Sequence, residues 1–441
     1  VRSYRTTRRA VGLLAAAVLG TGLLSACASD DDDGGSDTDS GDGGGGKTTI
    51  TMGLFGTFGF KEAGLYKEYE KLNPDIKIKE DVIERNENYY PALLNHLTSN
   101  SGLADVQAVE VANIAEVVDT QADRFMDLGK VEGVSEDAFL DWKWQQATAD
   151  DGKTIGLGTD VGPMAICYRK DHFEEAGLPT DREEVAKLWE GDWEKFLDAG
   201  RDFKENGPEG VAWVDSADAV YDGAIASSEG KYYNEDGDVI YKESPDVAAA
   251  WDIAAAAAEE KLTGNLQQFT KQWDQAMSNG DFATISCPAW MLGYIQEKGG
   301  SKSEGKWDVA RSPMPGNWGG SFLGVPESGD NKDEAAKLVA WLTAPEQQAK
   351  LFAERGNFPS APPAYDMDAV KTATNPYFGD APIGELFSAS AQEIPVQTIG
   401  PKDQIIDQNI GNGLQLIEQG KEDPDGAWDE AVNAADNALD Q

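Results

Sequence analysis

Cysteine, histidine and positive charge are all scarce in this chain, and each shortage removes a class of function. The 441 residues include three cysteines and two histidines, His96 and His172. None of them stands in metal-ligand spacing, so a zinc hydrolase or a histidine-based triad has little to be built from, and no metal is expected. Lys and Arg number 37 against 79 Asp and Glu, a net charge of −42. Nucleic acid and anionic lipid would both be repelled, so neither is an expected partner. Long apolar runs are equally rare. The single candidate, Ala10 to Leu24, is at roughly 15 residues too short for a permanent membrane span.

That run instead belongs to a leader. Arg2, Arg5, Arg8 and Arg9 precede it, and Leu24-Ser25-Ala26-Cys27 closes it. A basic start, a short apolar segment and small residues before a cut site describe an export signal. The cysteine directly after Leu-Ser-Ala makes the leader resemble a bacterial lipoprotein signal, so residues 1–26 are expected to be removed and Cys27 acylated as a lipid anchor. Arg8-Arg9 also permits a twin-arginine signal. Ala28 to Gly46 holds seven aspartates, seven glycines and no aromatic or branched aliphatic residue. Such a stretch buries too little apolar surface to fold, so residues 27–46 read as an acidic tether. Its aspartates lack the spacing and closing Glu of a calcium loop.

Lys47 to Gln441 is long enough that two domains are expected. Strand and helix patterns alternate from the start: a strand at 48–55, a helix at 62–72, a strand at 76–83, a helix at 90–97 and a strand at 106–111. This order predicts an α/β fold with a mainly parallel sheet between helices. After the glycine-rich passage 156–163, strands are expected at 164–168, 211–214, 282–287, 307–310 and 321–325. Helices are expected at 193–205, 246–260, 271–279, 334–342, 345–354, 384–391, 404–418 and 425–439. Asn234 to Asp238, with Gly237 between strand-like flanks, reads as a hairpin turn and not as a metal site. Cys167 and Cys287 both lie in apolar strand patterns, as one disulfide or as two buried thiols.

Several segments, in this order, resemble solute-binding lipoproteins of ATP-driven carbohydrate importers. They are Tyr69-Glu70-Lys71-Leu72-Asn73-Pro74, the strand and helix from Ile166 to Phe173 followed by Gly177-Leu178-Pro179, Asn279-Gly280-Asp281-Phe282-Ala283-Thr284, Ser321-Phe322-Leu323-Gly324-Val325-Pro326, and the helix from Ala335 to Leu342 with Pro345-Glu346-Gln347-Gln348. Arg85 to Pro91, Cys287 to Tyr294, Asn317 to Ser321 and Ile394 to Pro401 are similar to actinobacterial cellobiose and cello-oligosaccharide binders. The resemblance implies a two-lobed, periplasmic-binding-protein-like α/β fold with interlobe hinge strands and a ligand cleft. One lobe would take residues 47–160 and 318–355, the other 161–317 and 356–441. Gly156 to Pro163 would be the first crossing. It further implies a membrane permease with cytoplasmic ATPases as partners, no cofactor on this chain and no catalysis.

A disaccharide presents flat C–H faces, which suit aromatic plates, and a rim of hydroxyls, which suit carboxylates, amides and arginine. Trp318 is the first candidate plate, because Gly316-Asn317-Trp318-Gly319-Gly320 contains no other large side chain. Trp290 is second, and Trp213 and Trp273 follow. Phe55 and Phe58 leave the first strand at its C-terminal end, where ligands of open α/β sheets bind. Arg85, Asn86, Glu110, Asn113 and Asp160 form the polar set. Trp142, Trp144, Trp189, Trp193, Trp251, Trp341 and Trp428 sit in helical contexts and read as core. A surface glycosidase with two carboxylates is the main competing class, although no nucleophile motif supports it.

Overall fold

The computed structural model describes residues 47–440, residue 235 excepted. The leader, Cys27 and the whole of the tether lie outside the described residues. The strands are β1 (Thr48–Phe55), β2 (Ile76–Ile83), β3 (Val106–Glu110), β4 (Leu157–Gly158), β5 (Ala165–Arg169), β6 (Ala212–Val214), β7 (Phe282–Ser286), β8 (Trp307–Arg311) and β9 (Ser321–Gly324). They form two sheets, of order β2-β1-β3-β9-β4 and β6-β7-β5-β8.

Both sheets are mixed, which corrects the expectation of mainly parallel ones. β1 runs parallel to β2 and β3, but β9 is antiparallel to both β3 and β4. In the second sheet β5 is antiparallel to β7 and β8, and only β6–β7 is parallel. Alternating strands and helices predict parallel pairing only while the chain stays in one sheet. Here it leaves the first sheet after β4, builds the second, and returns as β9.

The returns create the link between the sheets. Residues 159–164 lead from β4 to β5, and residues 312–320 lead back from β8 to β9. The two passages touch through a bridge between Pro163 and Asn317. Val161 forms a further bridge with Phe358, after the Pro345–Arg355 helix. Gly162 packs so closely here that a Cβ would lie 1.9 Å from the Trp318 carbonyl oxygen. Only glycine fits.

Separate apolar cores back the sheets. Ile50, Met52, Leu54, Val106, Ala108 and Leu323 meet the helix around Leu65 and Tyr69 in one. In the second sheet Tyr168, Trp189, Phe196, Phe203 and Trp213 pack on one side, and Cys167, Trp273, Phe282, Ile285 and Trp307 on the other. Cys167 and Cys287 are joined as a disulfide across the β5–β7 neighbourhood, with Cα atoms 5.5 Å apart. Alternation along β5 sends Tyr168 to one core and Cys167 to the other. The Asn234–Asp238 turn is a hairpin turn as expected, with Tyr233 bridged to Val239 and Gly237 at φ 82.

Candidate functional site

The Asn86–Ser99 helix begins earlier than its sequence pattern suggests, and this start builds the polar part of the site. Pro91 sits inside the helix, while Arg85 is its N-cap residue in extended conformation. Asn86 is thus the first helical residue and stands over the end of β3. Its amide nitrogen donates to Glu110 Oε2 and, at 2.8 Å, to Asn113 Oδ1. Asn113 opens its own helix (Val111–Gln121) and donates to Gln404 Oε1 at 2.5 Å. Asn86, Glu110 and Asn113 therefore form one network, closed from the far side by Gln404 of the Asp403–Glu418 helix.

Asp160 lies beneath, buried in the crossing from β4. It accepts from Thr159 Oγ1 at 2.7 Å and from the Ser321 amide at 3.0 Å. Burial raises its pKa, and Lys143 acts against that rise. Lys143 is fully enclosed, with Nζ 3.8 Å from the centre of the Phe322 ring and no hydrogen-bond partner. Burial pushes this ammonium down to about 7, opposed by Asp160 and Glu110. Glu110 is pushed up to about 7, first by burial and then by Asp407, Glu87 and Asp160. Arg85 turns outward instead, into a two-pronged pair with Glu87 at 2.6 and 2.8 Å.

Across from this network stands a second acidic surface that sequence patterns did not single out. Asp218 and Asp222 sit one turn apart on the Ala217–Ala226 helix. Asp407 accepts from the Tyr232 hydroxyl at 2.5 Å, and Tyr232 pairs with Tyr221 at 3.1 Å. Asp218 is solvent-accessible yet raised to about 7 by desolvation, with Asp407 and Glu418 contributing. Lys231 acts on Asp222 and lies 3.9 Å from Asp403. The sequence signal for these acids is weak, because 79 acids are spread through the chain.

The aromatic side is built on the crossing strands. Trp318 is held by its amide, which donates to the Gly162 carbonyl at 2.9 Å. Trp290 Nε1 donates to the Trp318 carbonyl at 2.9 Å, and the rings meet at 5.6 Å and 71°. Both are half-buried. On the other sheet, Phe55 is half-buried and touches Phe58 at 5.3 Å and Tyr89 at 5.6 Å. Phe58 is 7% exposed and leans on Phe60, so it backs Phe55 more than it faces solvent.

Trp213 and Trp273 do not belong to this surface, contrary to expectation. Trp213 is 1% exposed and boxed by Phe173, Trp189, Phe196 and Phe203. Its strand lies in the second sheet with helices over that face, which left no free ring plane. Trp273 is fully buried and donates from Nε1 to Asp215 Oδ2 at 2.8 Å. It is a core residue that satisfies a buried carboxylate.

Among the described residues no cluster of His, Cys, Asp or Glu is arranged to hold a metal ion. Gly41-Asp42-Gly43-Gly44-Gly45-Gly46-Lys47-Thr48 does spell a phosphate-loop pattern. That motif requires a strand before it and a helix after it, whereas Thr48 opens β1. It carries no nucleotide-site inference.

Residues 64–377 match the family model described as bacterial extracellular solute-binding protein. A crystal structure of an extracellular solute-binding protein family 1 member is 41% identical with TM-score 0.79, over 88% of this chain and 99% of that one. The chain belongs to the bacterial extracellular solute-binding protein family. An ABC-transporter-associated binding protein from B. animalis subsp. lactis Bl-04, in complex with beta-1,6-galactobiose, has TM-score 0.75 at 21% identity, over 89% of this chain and 97% of that one. At that identity the likeness speaks for the fold alone. The lactose-binding protein of Rhizobium radiobacter is 24% identical over 57% of this chain and 60% of its own length. An arabinooligosaccharide-binding protein of Halalkalibacterium halodurans is 23% identical over 46% of this chain and 44% of its own. The matched span thus covers less than two thirds of either curated relative. No described helix is long and apolar enough to cross a membrane.

Proposed function

We propose that this protein captures an oligosaccharide in the cleft between its two sheets and hands it, unaltered, to the permease of an ATP-driven importer. The observation that carries the reading is the juxtaposition at the crossing strands. The half-buried Trp290 and Trp318 meet Gly162, and Glu110 of the Asn86–Glu110–Asn113 network pairs with Ser321, whose amide donates to Asp160, so both groups reach the passage between the sheets. Stacking plates and hydroxyl partners on opposite sides of a linker form a clamp. Sugar contacts made only when both sides close would stabilise the closed form. The lobes are then residues 47–160 with 318–355, and residues 161–317 with 356–441.

Phe55, Trp290 and Trp318 serve as plates in this reading, and Arg85, Asn86, Glu110, Asn113 and Asp160 as the polar set. The best candidate cargo is cellobiose or a cello-oligosaccharide, on the similarity of the segments around Tyr89, Trp290, Trp318 and Pro395. Relatives named for lactose and arabino-oligosaccharide keep another sugar, such as maltodextrin or xylo-oligosaccharide, as the alternative. Cys27 would carry the lipid that holds the protein on the outer membrane face. Replacing it with alanine should release the protein into the medium.

The test is a calorimetric titration against cellobiose, maltose, xylobiose and lactose, with product analysis afterwards. Stoichiometric binding with the sugar recovered intact supports capture. Hydrolysis products would establish the glycosidase reading, and absence of heat with every sugar would reject saccharide capture.

A further inference from the structure

The aromatic side of the cleft does not stop at Trp290. Phe269 continues it, 6.2 Å from the Trp290 ring centre, 5.5 Å from Tyr294 and 5.3 Å from the buried Trp273. Phe269 is 40% exposed, unusual for a ring with three aromatic neighbours. Its backbone is also left-handed, at φ 60. A bulky residue at positive φ is a strained outlier, and such strain collects at ligand clamps, where flanking structure imposes it. The flanks here are firmly tied. Gln268 donates to the buried Asp215 at 2.7 Å, and Thr270 caps the Lys271–Asn279 helix by accepting from the Trp273 amide at 3.3 Å. Between those ties the chain turns Phe269 outward over Trp290 and Tyr294, although burying it would cost less.

The opposite rim fits the same idea. Burial raises the pKa of the Tyr294 hydroxyl, with Glu84 contributing, and Glu87 raises that of Arg85, with Tyr294 contributing. The Arg85–Glu87 pair is thus within electrostatic range of Tyr294, the ring that meets Phe269. Phe269, Trp290 and Trp318 follow one another at 6.2 and 5.6 Å, with their planes at 31° and 71°, so Phe269 extends the row with a plane close to that of Trp290. We propose that Phe269 is the plate of an outer subsite, which stacks a sugar ring beyond those held at Trp290 and Trp318 and makes the protein prefer trisaccharides and longer chains over disaccharides. This rests on the saccharide-capture reading above and adds chain-length selection to it.

The experiment measures Kd by calorimetry for paired ligands, cellobiose with cellotriose, maltose with maltotriose and xylobiose with xylotriose. Wild type is compared with Phe269→Ala, Phe269→Tyr and Phe269→Gly. In the series that binds, wild type should favour the trisaccharide by about tenfold, the worth of one stacked ring. Phe269→Ala should abolish that gain and leave the disaccharide Kd within about twofold, while Phe269→Tyr keeps the gain. Phe269→Gly relieves the positive φ, so its thermal midpoint should not fall, yet it too should lose the trisaccharide gain. A trisaccharide preference that survives in the alanine and glycine variants overturns the subsite, as does equal weakening of both ligands. In both cases saccharide capture itself stands. If wild type binds none of the sugars, the capture reading fails and takes this one with it.

Discussion

Trp318→Ala is the sharpest perturbation of the proposed cleft, because the ring has little structural work to explain it. It is half-buried and set among glycines, and its backbone, not its side chain, bonds to Gly162 and Trp290. Removing the ring should therefore leave the crossing strands intact. A pyranose lying on one face would cover roughly 80 Å² of a side chain that can bury 150 Å² or more. At about 25 cal/mol per Å² this is about 2 kcal/mol, or about 30-fold in Kd. Trp290→Phe is the companion change. It keeps an aromatic ring but removes the 2.9 Å bond that fixes the Trp318 carbonyl, and should cost about 1 kcal/mol, about fivefold. Both are read by calorimetry with the best-binding sugar, with circular dichroism confirming the fold. An alanine variant that is folded and binds every sugar as wild type does would refute the stacking argument.

Removing the disulfide by the paired change Cys167→Ala and Cys287→Ala opens a loop of sequence separation 120. It should cost about 5 kcal/mol by the chain-entropy estimate; a denaturant titration that shows under about 1 kcal/mol would contradict it. Trp273→Phe removes one donor from the buried Asp215 carboxylate and should destabilise by about 1–3 kcal/mol, while the disaccharide Kd stays unchanged, because Trp273 is core. Burial pushes the Glu110 carboxyl up to about 7, above its ordinary value of 4.5. The folded state thus keeps this proton longer than the unfolded state, and the group's contribution to unliganded stability declines as pH rises from about 4.5 to about 7. A sugar hydroxyl donating to the carboxylate favours the ionised form, so affinity should weaken as pH falls below about 7, and Glu110→Gln should flatten the profile. A wild-type Kd that is constant from about pH 5.5 to about pH 8 counts against direct contact.

Local patterns carried far in this chain because its elements are regular. The three C-terminal helices, expected at 384–391, 404–418 and 425–439, stand at Ile383–Gln392, Asp403–Glu418 and Pro424–Leu439. Four of the five polar candidates, picked from positions at or near strand and helix ends, come together in the fold, although that alone does not make them ligand contacts. Asn86, Glu110 and Asn113 do share a network, and Asp160 lies beside it. What local pattern does not record is which face a strand turns to which layer. Trp213, in a three-residue strand, and Trp273, at the start of a helix, could each face a core or a cleft, and both face cores. Lys143, enclosed between tryptophans in sequence, gave no sign that its ammonium would end beneath the crossing strands. Phe269 was invisible for a similar reason, since its exposure follows from a positive φ that its flanking hydrogen bonds impose.

The polar balance of the cleft bears on what it is suited to hold. Asp407 acts on Glu110, Asp218 and Asp222, and Asp160 acts on Glu110, while Lys143 acts on Asp160 and Lys231 on Asp222. Lys143 is enclosed and Lys231 is shared with Asp403, so the donors within reach are mostly amides and tyrosine hydroxyls. Several of these carboxyls are held above their ordinary pKa by burial and by one another. The cleft thus has a surplus of acceptors whose ionisation is costly until donors arrive. A polyol is the complement of that surplus: each hydroxyl donates one hydrogen bond and brings no charge. A uronic acid or phosphorylated sugar would add acceptors and negative charge to the same cleft, and like-charge contact there costs more than in water. On the capture reading proposed above, neutral saccharides would be the class that both surfaces favour, the rings for their C–H faces and the carboxylates for their hydroxyls.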